Sequence, residues 1–395
     1  MTGVWALAAL WLALALIASL LSIWLRISTA LSEIIVGTIA QLIIGAAIGS
    51  AVLGTDESWV KFLSGLGAIV LTFLAGAELD PQVFRLKWKE AAAVGLASFF
   101  FPFLACAAAA HYVLGWQMTP SLLAGVAMST TSVAVVYAVM LEFGFNSTEY
   151  GKTVLAACFV TDLGTVVALG LIFAPFTIKT LIFLAAGVAV FVILPWLTPR
   201  FFRRYGGRPS ELEAKFLLLC LLGMGALAAW ADSEAVLPAY LIGMVLAGTV
   251  GKDHALIRRL RTLTFGLLTP FYFIRAGSFV SMPELIAAPT AFILFLIVKV
   301  GAKIIGVYPV TQLFGSPNRE AIYTTLLMST GLTFGTISSL FGLSHGIIDA
   351  GQYSALVAAV IGSAVIPTVI ANAFYLPRHL LPAKDLENAP AEHGR

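Results

Sequence analysis

Charge is what this sequence lacks most. Of its 395 residues only 11% are Asp, Glu, Lys or Arg, against 60% hydrophobic, and the mean hydropathy is +0.97. Soluble domains carry about 25% charged residues, so an ordinary water-soluble globule is excluded and the chain is an integral membrane protein. Cysteine is nearly absent too. Cys106, Cys158 and Cys220 lie in apolar runs at neither metal-ligand nor disulfide-like spacing, which reads as three buried small hydrophobes. Histidines 111, 254, 345, 379 and 393 are scattered over the ends and links of those runs, which argues against a metal site. There is no Gly-rich phosphate loop, no G-x-S-x-G and no H-E-x-x-H. This speaks against a pump with its own ATPase and against a known class of intramembrane hydrolase. Nothing suggests nucleic acid as a partner or a bound cofactor, and no soluble domain is expected.

What is present is apolar sequence in pieces long enough to cross ~30 Å of hydrocarbon. Thirteen such spans are expected, at 4–25, 32–53, 61–78, 91–114, 120–141, 152–174, 179–197, 212–231, 235–250, 264–280, 288–312, 320–341 and 352–376. They make one transmembrane domain over 1–377, followed by a short tail over 378–395. The first span lacks a basic leader and a small-residue cleavage site, and reads as a retained helix.

Basic residues gather on the cytoplasmic side of a membrane protein, and they test this count. With the N-terminus outside, the inner links hold 18 of the 23 Lys and Arg, while the outer links hold only Lys61 and Lys179. An even number of spans would scramble that asymmetry. The expectation is therefore N-terminus out and C-terminus cytoplasmic, with Arg275, Lys299 and Lys303 left inside the membrane.

Two spans read as broken helices. Ser129, Thr130, Thr131 and Ser132 interrupt the fifth, and Ser329, Thr330, Gly331, Thr333 and Gly335 interrupt the twelfth. Their matching places suggest an internal repeat, and interrupted spans in matching places point to a transporter site. Unwound backbone at membrane depth is tolerated only inside protein or along a wet cavity, where freed carbonyls can replace a cation's water shell. The alternative is that these hydroxyls bond back into their own helices or serve helix packing.

Asp162 lies about ten residues into the sixth span, roughly 15 Å deep, and is the carboxylate placed near mid-membrane. An ionisable residue there marks a substrate or proton path by default. It can hold a proton or a metal ion but not comfortably both, so the two compete; the alternative is a structural Asp locked to a lysine. Lys299 and Lys303 are four residues apart, on one helix face. One is expected to pair with Asp162 in one state and release it in another, and the other to line water or snorkel. Arg275 is expected to snorkel outwards or to form an ion pair in the bundle. Glu78 and Asp80 close the third span, near Arg85, as anchors or as part of an inner mouth.

Five stretches carry a family resemblance: GAELD from Gly76 to Asp80, STTSVAVVY from Ser129 to Tyr137, the run from Glu149 to Gly164, PFYFIRAG from Pro270 to Gly277, and AKIIGV from Ala302 to Val307. They stand in the order seen in monovalent cation:proton antiporter family 2. The chain resembles the sodium/hydrogen exchanger domain of that family, Kef- and NapA-like members included, from about residue 8 to 375. The resemblance implies an all-α, inverted-repeat fold in which a six-helix core with two crossed broken helices moves against a dimerisation domain. It implies that Asp162 carries the proton and the cation, that Lys303 is the core lysine, and that Thr131 and Ser132 are the unwound pair. Glu78 matches the acidic residue of G-x-E-L-D. Thr161 stands where relatives commonly have Asp, Asn or Gln, leaving one titrating carboxylate and favouring electroneutral one-for-one exchange. The twelfth span has S-T-G-L-T-F in place of S-P-R-G-E-F, and no cytosolic regulatory domain of the Kef type is expected, so such control would need a separate subunit.

The function expected is exchange of Na+ or K+ for H+ across the bacterial inner membrane by a homodimer, in the service of pH homeostasis. The cation would sit at Asp162 with Thr161, Thr131 and Ser132; Lys299, Arg275, Glu78, Thr330 and Thr333 are accessory candidates. The rival is cation-coupled symport of an organic anion, with Arg275 as the anion's partner. A gated channel or an intramembrane enzyme finds less support.

Overall fold

A computed structural model describes residues 2–25, 29–47, 53–77, 87–145, 148–173, 177–231, 235–287 and 289–381. Segments that cross lipid must satisfy their own backbone hydrogen bonds, and among the described residues all regular structure is helical. The helices are α1 (Thr2–Leu25), α2 (Thr29–Ala47), α3 (Ser58–Ala77), α4 (Trp88–Val113), α5 (Met118–Ser129), α6 (Val133–Glu142), α7 (Glu149–Phe173), α8 (Ile178–Tyr205) and α9 (Leu212–Trp230). They continue with α10 (Val236–Leu246), α11 (His254–Leu263), α12 (Thr269–Ser278), α13 (Met282–Ala287), α14 (Pro289–Leu313), α15 (Asn318–Met328), α16 (Thr333–Ser344) and α17 (Ala350–Tyr375).

Nine spans among the described residues are helical, long and apolar enough to cross a membrane. The expected spans at 120–141, 235–250 and 264–280 are met by shorter or interrupted helices, and the one at 32–53 by α2 as far as Ala47, beyond which residues 48–52 lie outside the described residues. Both predicted breaks are present. Helix ends at Ser129 and resumes at Val133, with Thr130 extended (φ −63°, ψ 152°). It ends again at Met328 and resumes at Thr333.

The helices sort into two units. In one, α4 packs on both α5 and α7, and two hundred residues later α14 packs on both α15 and α17. The triplets join through α4 against α14 and α5 against α16. The other unit is built on α2 against α12 and α3 against α10, with α1, α8 and α9 outside them. Exposure follows this order: the α15–α16 span is 94% buried, whereas α1 and α8 are 22% and 17% buried and offer apolar faces to the surroundings.

Two glycine pairs hold the second unit together. A side chain at Gly37 would collide with the Ile274 carbonyl, and one at Gly277 with the Ile34 carbonyl. Each glycine thus meets the carbonyl three residues before the opposing glycine, as expected for two parallel helices crossing with backbones in contact. Gly76 and Gly243 do the same against the carbonyls of Tyr240 and Phe73. The Thr38 hydroxyl donates to Gly277 O at 3.0 Å across the first of these crossings.

Candidate functional site

The two breaks cross and bond to each other. Ser132 N donates to Thr330 O at 3.0 Å, and Thr131 Oγ1 donates to Met328 O at 2.8 Å. Carbonyls at the C-terminal end of a half-helix carry partial negative charge, and a cation is supplied where α5 ends. Lys303 Nζ donates to Ser129 O at 3.0 Å, Thr131 Oγ1 at 3.0 Å and Ser98 Oγ at 2.6 Å. Lys303 is fully buried, and the three acceptors replace the water its ammonium gives up.

Asp162 is 1% exposed and its Oδ1 meets no hydrogen-bond partner among the described residues. The α7 face that carries it is fixed a turn to either side. Cys158 Sγ lies 3.6 Å from Met328 Sδ, and Thr165 Oγ1 lies 3.4 Å from Ser129 Oγ. Asp162 therefore faces the crossing between the ends of both first half-helices. The expected ion pair with a lysine is not made in this conformation: Lys303 spends its donors on Ser98 of α4 and on the first break, and among the described residues no salt bridge joins Asp162 to either lysine.

The other expected residues divide. Thr131 belongs to the crossing. The Ser132 hydroxyl instead accepts from Val135 N at 3.3 Å, capping α6. Thr161 Oγ1 donates to Gly95 O and Ala157 O, both at 3.1 Å, and so turns toward α4. Thr330 Oγ1 donates to Leu327 O at 2.7 Å, and Thr333 opens α16. Lys299, expected to pair with Asp162 or else to line water or snorkel, lies inside the bundle. It is fully buried, its Nζ has no acceptor among the described residues, and a methyl at Gly331 would collide with it. Thr130 Oγ1 and Ser363 Oγ line the same point of the second break. Arg275 is remote from the crossing; its Nε donates to Thr55 O at 2.8 Å and its guanidinium stacks 4.8 Å from the Phe279 ring. Glu78, Asp80 and Arg85 lie outside the described residues.

Three participants gave little sequence signal. Ser98 is a single serine in the apolar α4. Tyr240, on α10, donates to Phe159 O at 2.9 Å and so ties the second unit to the backbone three residues from Asp162. Glu33 stands near the start of its span, where a carboxylate draws no notice. It is 1% exposed, so Asp162 is not the only carboxylate buried in a spanning helix.

The two ends of the site differ. At the end of α4 and α7 that carries Lys87, a cavity of about 250 Å³ is lined by Glu90, Glu149, Tyr150, Thr324 and Glu320. Its wall includes Ala157, about 7.5 Å along the helix axis from Asp162. Lys87 lies 3.3 Å from Glu149 and 3.7 Å from Glu90. The hydrogen bond it donates to Glu149, then the charge of Glu90, hold its ammonium above the ordinary lysine range. At the opposite end the units are tied: Tyr353 OH donates to Ala276 O at 2.7 Å and Ser281 N donates to Ser354 Oγ at 2.8 Å.

A buried carboxylate facing two crossed helix breaks in an all-helical membrane bundle defines a secondary-transporter fold. Residues 9–374 match the family described as "Sodium/hydrogen exchanger, transmembrane", and the chain belongs to that family. Its sequence is 25% identical over 371 residues to Cation/H(+) antiporter 18 of Arabidopsis thaliana, covering 86% of this chain and 46% of that protein. The chain thus spans about half the length of such plant relatives. It is 26% identical to the Na(+)/H(+) antiporter NhaS4 of Synechocystis (86% of this chain, 92% of that one) and 25% identical to a Na(+)/H(+) antiporter of Enterococcus hirae (85% and 91%). Its fold is similar to that of the sodium proton antiporter MjNhaP1 of Methanocaldococcus jannaschii, with a TM-score of 0.71 at 15% identity over 94% and 96% of the two chains.

Proposed function

We propose that this protein exchanges a monovalent cation, Na+ or K+, for protons, with Asp162 holding one or the other in turn. The observation that carries this reading is Asp162 itself: nearly inaccessible, without a partner at Oδ1 among the described residues, and aimed at the crossing of two helix breaks. An isolated ionised carboxylate in such a place is unfavourable by many kcal/mol, so the group is satisfied either by a proton or by a cation. Thr131, next to the Met328 and Ser129 carbonyls, is the nearest candidate for shared ligation, with Ser132 and Thr161 reached by rotation of their hydroxyls. Lys303 serves as counter-charge and is released from or returned to the first break as Asp162 changes its load.

The cavity at the Lys87 end and the Tyr353 and Ser354 bonds at the other support an alternating-access cycle in which the Asp162 unit moves against the α2/α3/α10/α12 unit. Charge asymmetry in the links assigns the Lys87 end to the cytoplasm, in the inner membrane of the cell. Neutral Thr161 supports one cation per proton. The exposed apolar faces of α1 and α8 suit a homodimer, which disulfide cross-linking of cysteines placed at Leu181 and Val188 would report. The engagement of Arg275 with Thr55 leaves the organic-anion reading without its expected partner.

The test is purified protein in liposomes with an acidic interior, followed with a pH-sensitive dye as Na+, K+, Li+ or choline is added outside. Gradient dissipation by a small cation in the wild type and its loss in Asp162→Asn is the expected result. Failure of every cation across pH 6 to 9 would sink the exchange reading.

A further inference from the structure

Another buried carboxylate, Glu33, has no place in the cycle above. It sits on α2 one turn before Gly37, and the parallel Gly37–Gly277 crossing sets its level near Phe273 on α12. It is 1% exposed and its Oε2 meets no hydrogen-bond partner among the described residues; neither does the hydroxyl of its neighbour Ser32, 2% exposed. Among the described residues, the helices packed on α2 bring no counter-charge to it. α1 has no charged residue over 2–25, and α12 contributes Tyr272 and Arg275, the latter turned to Thr55. Leu31 and Ile34, on either side of Glu33, belong to the same packed cluster as Phe159 and Val166, which flank Asp162.

A carboxylate so placed is stable only while it carries a proton, and the packed cluster that Leu31 and Ile34 join beside it runs on into the unit of Asp162. We infer that Glu33 is a second proton-binding site of this protein, on the unit opposite Asp162, occupied in this conformation and emptied when the units separate and water reaches it. Because Glu33 stays with α2, it adds a pH dependence to the cycle without adding a charge to the cargo. This role rests on the exchange reading, whereas proton binding at Glu33 does not.

The test therefore has two arms on the full-length protein in lipid. In infrared difference spectra of wild type and Asp162→Asn, a protonated-carboxyl band removed by Glu33→Gln should fade as pH rises and return on acidification. No such band at any pH, or a band indifferent to pH, overturns the proposal. In liposomes, Glu33→Gln should move the half-maximal pH of exchange by about one unit, a tenfold change in proton concentration, with Glu33→Asp restoring the wild-type profile. An unshifted profile overturns the gating role. Loss of exchange in wild type as well condemns the exchange reading alone, since the infrared arm still reports on Glu33.

Discussion

Thr131 and Met328 fasten the two broken helices together: the hydroxyl of one donates to the carbonyl of the other at 2.8 Å while accepting from Lys303. One side chain thus joins both half-helix ends and the core lysine. Thr131→Ser should retain cation-driven exchange. Thr131→Val keeps the volume but loses donor and acceptor together, and should raise the cation concentration for half-maximal exchange at least several-fold. Equal cation dependence in the two variants would remove Thr131 from the site.

Lys299 and Lys303 should respond oppositely to the same change. Lys303→Met deletes three hydrogen bonds; at ~0.6 kcal/mol for each bond within a membrane bundle, the loss is about 2 kcal/mol. Lys299→Met deletes an ammonium that has no acceptor among the described residues, and replacing buried charge with apolar volume is often neutral or stabilising by about 1 kcal/mol or more. Thermal unfolding in detergent should show a lower midpoint for the first and an unchanged or higher one for the second. A drop for both would mean that Lys299 is paired after all.

Glycine replacements offer a second contrast in sign. Gly37→Ala and Gly243→Ala both thrust a methyl into a facing backbone, whereas the same methyl at Gly223 on α9 meets nothing within 4 Å. Helical glycine is less stable than alanine by roughly 0.5–1 kcal/mol, so Gly223→Ala should be neutral or stabilising. The other two should lower the unfolding midpoint and the yield of folded protein. Comparable behaviour at all three positions would show that the crossings are looser than described.

Tyr353→Phe removes the hydroxyl that ties α17 to Ala276 O at the end away from the Lys87 cavity. A bond worth ~0.6 kcal/mol within a membrane bundle biases an equilibrium about threefold. Labelling of a cysteine placed at Ser354 should speed up by that factor, while unfolding is little affected. No change in labelling would mean that the Tyr353 bond does not hold this end shut.

Much of this was legible in the sequence, for reasons that differ by residue. Hydroxyl clusters in the middle of apolar spans announced both breaks, and Asp162 stood out because charge at depth is unfavourable. What the two lysines do was not legible. Four residues apart they share a helix face, yet the breaks cross so closely that one turn decides which break each ammonium meets. Ser98 and Tyr240 are ordinary residues until the fold brings them to Lys303 and Phe159. Glu33 was hidden by its position near a span's start, where carboxylates usually reach water; only the packing of α1 and α12 over α2 removes that water.

The two breaks, two hundred residues apart in one repeated pattern, are furnished unequally: one end is held by Lys303 through two bonds, with a third to Ser98 on α4, while the other merely confronts Lys299 across Gly331. In a carrier whose two orientations arise when its halves trade conformations, identical furnishing would make those orientations equally populated. Here the chain resembles a balance with a weight left on one pan. Its empty resting state should lean to one side of the membrane, so that reversing the ion gradients would not simply reverse the rates.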